Sequence, residues 1–123
     1  MMKVENTSKQ EIKTIIEAQR VFFRSGETLG VKFRQQALCA LSKALKLWES
    51  RIAEALWQDL HKSYEEAYMT ELSIVLSEID SHLHHLKRWM APKRVCTPLK
   101  MMPSKSKVVA EPLGCTLIMA PWN

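Results

Sequence analysis

Between Asp80 and Glu111 this chain has no acidic residue, yet Lys87, Arg88, Lys93, Arg94, Lys100, Lys105 and Lys107 all fall there. An uncompensated basic stripe suits nucleic acid or an anionic lipid surface. The stripe lacks the interleaved aromatic or Asn/Gln readers that base recognition uses, with Trp89 standing alone. A solvated connector between two structured parts is therefore the favoured reading, and no nucleic-acid partner is expected. Other absences narrow the class further. No apolar run approaches the ~20 residues of a membrane span. The opening MMKVENTSKQ has no apolar signal core, so the expected compartment is the cytoplasm. Cys39, Cys96 and Cys115 are an odd number at unrelated spacings, without CxxC or zinc-type Cys/His spacing. They are expected to be free thiols in a reducing compartment. Cys39, among Ala and Leu, and Cys115, in an apolar run, are expected to be small core residues rather than reactive thiols. Internal repeats and low-complexity tracts are absent, as are the glycine-rich phosphate loops, the G-x-S-x-G elbow and H-E-x-x-H.

What is present is a globular composition, 46% hydrophobic and 25% charged over 123 residues, the length of one ordinary domain. Most of it has a helical period. Ser8-Lys9-Gln10-Glu11 is a capping box, followed by Ile12, Ile15, Ile16, Gln19, Phe22 and Phe23 at helical spacing. Ser25-Gly26 should end that helix. A second stripe runs through Phe33, Ala37, Leu38, Leu41, Leu45 and Trp48. Ser50 is read as the start of a third helix carrying Ile52, Leu56 and Leu60. Ser63-Tyr64-Glu65-Glu66 is another capping box and predicts a long helix with Leu72, Val75, Leu76, Ile79, Leu83, Leu86 and Met90 on one face. Ala91-Pro92 should stop it.

Beyond Pro98 and Pro103 the period changes. Residues 105–110 alternate weakly, as an edge strand does. Glu111-Pro112-Leu113-Gly114 fits a β-turn. Cys115-Thr116-Leu117-Ile118-Met119-Ala120 is apolar on both faces, the pattern of an interior strand of a parallel α/β sheet. Such a strand needs neighbours and covering helices, so the chain is expected to be the opening portion of something larger.

Few groupings of residues invite chemistry. Glu78, His82 and His85 share a helix face, but helical spacing supplies only part of a zinc site, and a polar helix flank is the preferred reading; no metal is expected. His61 is no better placed on spacing. In open α/β sheets ligands bind beyond the carboxyl ends of strands, which would be Ala120-Pro121-Trp122-Asn123 here.

These last residues carry a resemblance. "EPLGCTLIMAPWN", with "FRQQALCAL" at 33–41 and "DLHK" at 59–62, resembles the N-terminal signature of the aldehyde dehydrogenase superfamily. The spacing and short lead are similar to its class-3 and fatty-aldehyde branch. The resemblance implies an α/β, Rossmann-like parent fold, of which this chain would be the mainly α-helical start. Residues 1–97 would be the helical part of the cofactor-binding domain, 98–111 a strand segment of the bridging, oligomerising part, and 112–123 the turn and first strand of the sheet that holds NAD or NADP. It implies that the Asn123 amide stabilises the oxyanion of a cysteine thiohemiacetal. The backbone around Ala120, Pro121 and Trp122 would line the nicotinamide-ribose side of the cofactor. An aldehyde would be the substrate and a homodimer the assembly. None of the three cysteines matches the family's nucleophile motif, so these residues alone should not oxidise an aldehyde. The competing expectation is a non-catalytic helical module that binds a partner or nucleic acid through residues 87–107. A module of that kind would unfold cooperatively and bind in a salt-dependent way; a piece of an enzyme would expose apolar surface.

Overall fold

The Oγ of Ser8 accepts the Glu11 N–H at 3.1 Å and opens α1 (Lys9–Arg24), satisfying one of the donors a first turn leaves unpaired. Gly26, at φ 80°, closes it in the left-handed conformation that glycine adopts without a Cβ penalty. The computed structural model describes residues 6–119, and the chain divides into two units. One is Met1–Gly30 with Glu111–Asn123, and the other is Val31–Ala110.

The second unit is a helical hairpin with a small sheet. α2 (Val31–Leu60) is continuous, so the expected restart at Ser50 does not occur. No glycine or proline interrupts residues 31–60, and a single serine costs a helix interior too little to break it. His61 ends α2 at φ 54°, its N–H donating to the Trp57 carbonyl at 2.9 Å. Ser63 then caps α3 (Tyr64–Ala67), accepting the Glu66 N–H at 3.2 Å. The long helix expected from Ser63 is divided. A π-helical turn at Tyr68–Leu72 separates α3 from α4 (Ser73–Met90). Here Thr70 donates its hydroxyl to the Glu66 carbonyl and Ser73 to that of Met69, side-chain bonds that compete with the regular ladder.

α2 packs against α3, the π turn and α4. The buried residues are Ala53 of α2, Ala67 of α3, Leu72 of the π turn, and Ile79 and Leu86 of α4. Alanines at the buried positions of α2 and α3 let those backbones approach, while Leu72, Ile79 and Leu86 supply the apolar area, each worth about 1.5–3 kcal/mol. Ala91 leaves helical geometry at ψ 134°, as the following Pro92 requires.

β1 (Lys93–Val95) and β2 (Ser106–Val108) form an antiparallel pair with Arg94 opposite Lys107. The alternation after Lys105 anticipates β2, whereas nothing in the sequence pattern singles out β1. The Thr97 hydroxyl accepts the Ser106 N–H at 2.9 Å and ties off the end of the ladder.

Candidate functional site

Asn123 and its neighbours Ala120, Pro121 and Trp122 lie outside the described residues. The structure does describe the segment that leads to them and what surrounds it. Residues 111–119 form neither the expected β-turn nor a strand. Gly114 is instead held at φ 115°, which explains the residue type better than the fourth place of a turn would. A Cβ there would meet Cε1 of Phe23 at 3.8 Å, ordinary contact, so it is the backbone angle rather than crowding that calls for glycine. Leu117, Ile118 and Met119 are over four-fifths exposed, not buried on both faces. A strand exists only where another supplies its ladder, and among the described residues nothing pairs with this one.

Within its own unit the segment flanks an open groove of about 960 Å³, with Ile12, Ile16 and Phe23 of α1 on one side and Leu113, Gly114 and Leu117 on the other. The groove is mostly apolar. Arg20 and Arg24 at its margin each lie 3.8 Å from the Glu17 carboxylate, exposed pairs of little energetic weight. Such a groove can take an apolar side chain or alkyl group; it holds no nucleophile with an adjacent base.

The other unit has a smaller hollow of about 360 Å³ beside the α2–α3 connection, lined by Ser50, Ala53, Glu54, Trp57, Lys62 and Tyr64. The Lys62 ammonium donates to the Glu71 carboxylate at 2.5 Å, with only 12% of the lysine side chain exposed. The Tyr64 hydroxyl donates to the Glu49 carboxylate. That bond raises the Tyr64 pKa above its ordinary value, with desolvation and nearby negative charge adding to it. Lys62 and Glu71 are nine residues apart across a helix break, so no periodic pattern could have paired them. Their arrangement clamps the connection at residues 61–63, which holds the last two residues of "DLHK"; it is a structural device with no bond-making geometry.

The histidines face away from metal chemistry. The Nδ1 atoms of His82, His84 and His85 lie within 2.7–2.8 Å of the carbonyls of Glu78, Asp80 and Ser81, one helical turn back. The rings of His82 and His85 lie against Trp89. No group of three or more His, Cys, Asp or Glu among the described residues could hold a metal ion. Cys39, Cys96 and Cys115 are free and exposed. This corrects the expectation that Cys39 and Cys115 are core residues: Cys39 lies on the outer side of α2, and Cys115 belongs to the unpaired segment.

With that geometry in hand, similarity to known proteins is informative. The model of the aldehyde dehydrogenase family matches residues 1–123. The 4,4'-diaponeurosporen-aldehyde dehydrogenase of Staphylococcus aureus is 45% identical over 104 residues, 85% of this chain and 23% of that protein. Aldehyde dehydrogenase family 3 member F1 of Arabidopsis thaliana is 35% identical over 115 residues, 94% of this chain and 24% of that protein. A solved structure of the substrate-bound state of Staphylococcus aureus AldH matches with a TM-score of 0.78 at 42% identity, over 82% of this chain and 22% of that one. The chain thus spans about a quarter of the length of these relatives.

Proposed function

From the premise that this chain belongs to the aldehyde dehydrogenase family, near its family 3 members, we propose that it forms the N-terminal part of an NAD(P)-dependent enzyme oxidising an aldehyde to a carboxylic acid. The observation that carries the proposal is the family match over residues 1–123, which takes in Pro121-Trp122-Asn123. The large apolar exposure of residues 113–119 supports it, because such a segment is stable only when other sequence covers it.

In this reading Asn123 is the residue with a chemical task. A thiolate adds to the aldehyde carbonyl, and negative charge gathers on the oxygen. A neutral amide N–H aimed at that oxygen stabilises the charge without itself titrating, a contribution of typically ~3 kcal/mol. Ala120, Pro121 and Trp122 carry no charge and suit the wall beside a nicotinamide ring and its ribose. NAD or NADP, when bound, accepts the hydride. The thiolate is assigned to none of Cys39, Cys96 and Cys115, so the isolated 123 residues are inactive. Residues 98–111 join the bridging part of a homodimer, and the enzyme works in the cytoplasm.

The test uses the polypeptide as its source makes it. Aldehyde-dependent formation of NADH or NADPH is measured, then repeated with Asn123→Ala. A fall in kcat of about 100-fold or more, with the cofactor Kd little changed, is expected. An unchanged kcat would remove Asn123 from the site, and no aldehyde-dependent turnover at all would remove the activity.

A further inference from the structure

Ala67, Leu72, Ile79 and Leu86 are the buried residues between Tyr64 and Met90, and the elements that carry them, α3, the π turn and α4, all pack against α2. Their spacing is uneven. Leu72, Ile79 and Leu86 are seven apart, which a regular α-helix returns to within about 20° of one side. Ala67 and Leu72 are five apart, and a regular helix would set them about 140° from each other, one toward α2 and one away. The residues that a regular helix would place before Leu72 on its own side are Met69 and Tyr68, three and four back. They are 70% and 39% exposed, whereas Ala67 is wholly covered. The π turn accounts for this. The Ser73 N–H donates to the Tyr68 carbonyl, five residues back instead of four, so the turn takes in one more residue and Ala67 comes round to the side of Leu72.

A ladder of this rarer kind has to be held. Lys62, in the connection before Ser63, donates to the Glu71 carboxylate at 2.5 Å and to the Thr70 hydroxyl at 3.5 Å, both within the turn. We propose that Tyr68–Leu72 is a register device: a single excess residue lets α3 and α4 meet the same face of α2, and Lys62 pins the excess at this turn. With the pin in place, the α2–α3 connection and the turn move as one. Without it, α3 twists while Leu72, Ile79 and Leu86 stay seated, because α4 keeps its regular ladder. Every contact involved lies within Val31–Ala110, and the burial of Ala67 and Leu72 is made inside that unit. The device is therefore independent both of what else covers the unit and of the dehydrogenase site.

The experiment is amide hydrogen exchange, read by mass spectrometry, on the polypeptide as its source makes it. Deleting Met69 removes the excess residue and sets Ala67 and Leu72 four apart, on one side of a regular helix. Residues around Ala53 and Ile79 should then keep their protection, and residues 64–75 should gain it. Deleting Asp80, from the regular ladder of α4, turns Leu86 about 100° off the seam. Protection around Leu86 should fall about tenfold or more, or the chain should fail to fold. Lys62→Met should speed exchange in residues 64–72 about tenfold and leave residues 76–88 unchanged. If deleting Met69 unfolds the hairpin or costs as much protection as deleting Asp80, the proposal is overturned. Tolerance of both deletions overturns it too, since helical phase would then not matter. Unchanged exchange at 64–72 in Lys62→Met, or a rise spread evenly over α4, removes the pin and the device with it.

Discussion

Leu72 and Leu117 sit in apolar stretches that look equally fit for burial, yet one is 3% exposed and the other 82%. Leu72 belongs to a helical hairpin whose partners lie within some forty residues on either side. Leu117 belongs to a segment that forms no strand and finds no pairing partner among the described residues. A helix satisfies its backbone internally and asks its neighbours only for apolar contact, whereas a strand asks for hydrogen bonds as well. The same apolar character therefore yields a core in one unit and an open segment in the other. The contrast is tested most strongly by truncating both leucines. Leu72→Ala should cost about 2–5 kcal/mol and Leu117→Ala less than about 0.5 kcal/mol, read from urea unfolding of this chain by its helical signal. Equal costs would mean that the terminal segment is packed after all.

A smaller effect separates the ion pairs of the two units. Lys62 is mostly covered and meets Glu71 at 2.5 Å, while Arg24 and Glu17 are exposed and 3.8 Å apart. Lys62→Met keeps most of the buried stem but strands the Glu71 carboxylate, and about 1–2 kcal/mol should be lost. Arg24→Met should change stability by no more than about 0.5 kcal/mol. If added salt erased the Lys62 effect as fully as that of Arg24, the clamp would be an ordinary surface pair.

The legible parts of this protein were those encoded within one helical turn. The Ser8 and Ser63 caps, the Gly26 stop and the Pro92 stop each rest on one or two residues, and the structure has all four. The inward face of α4, with Ile79 and Leu86, followed from its period. Three features were not legible: the π turn, the Lys62–Glu71 clamp and β1. Each depends on a partner from another segment or on a choice between nearly equal hydrogen-bond ladders. The candidate site rests on a family signature and a strand position; the family match bears out the first, while residues 115–119 form no strand.

Ser50 and Ser63 sharpen the point, because both were read as helix starts and only Ser63 is one. Ser63→Ala removes the acceptor for the Glu66 N–H and should cost about 1 kcal/mol. Ser50→Ala places a better helix former inside α2 and should be neutral or stabilising by a few tenths of a kcal/mol. Opposite signs in thermal unfolding would confirm that α2 runs through Ser50; a loss at both would restore the break.

The smallest effect is a pH dependence confined to the helical unit. The Tyr64 hydroxyl donates to the Glu49 carboxylate, and this bond, above all, raises its pKa over the ordinary value of 10.0. A raised pKa means that the native state keeps its proton after the unfolded chain has released it. Stability then falls with rising pH in that interval. The contribution is complete below the unfolded value and disappears as pH climbs through the native one. Tyr64 is half exposed, so solvent screens the bond and the slope should be shallow. The urea midpoint of the unaltered chain should therefore decline above roughly pH 10 faster than that of Tyr64→Phe, with the two curves running in parallel below it. Parallel curves throughout would show that the phenol stays in water and that α3 is held to α2 by its apolar contacts alone.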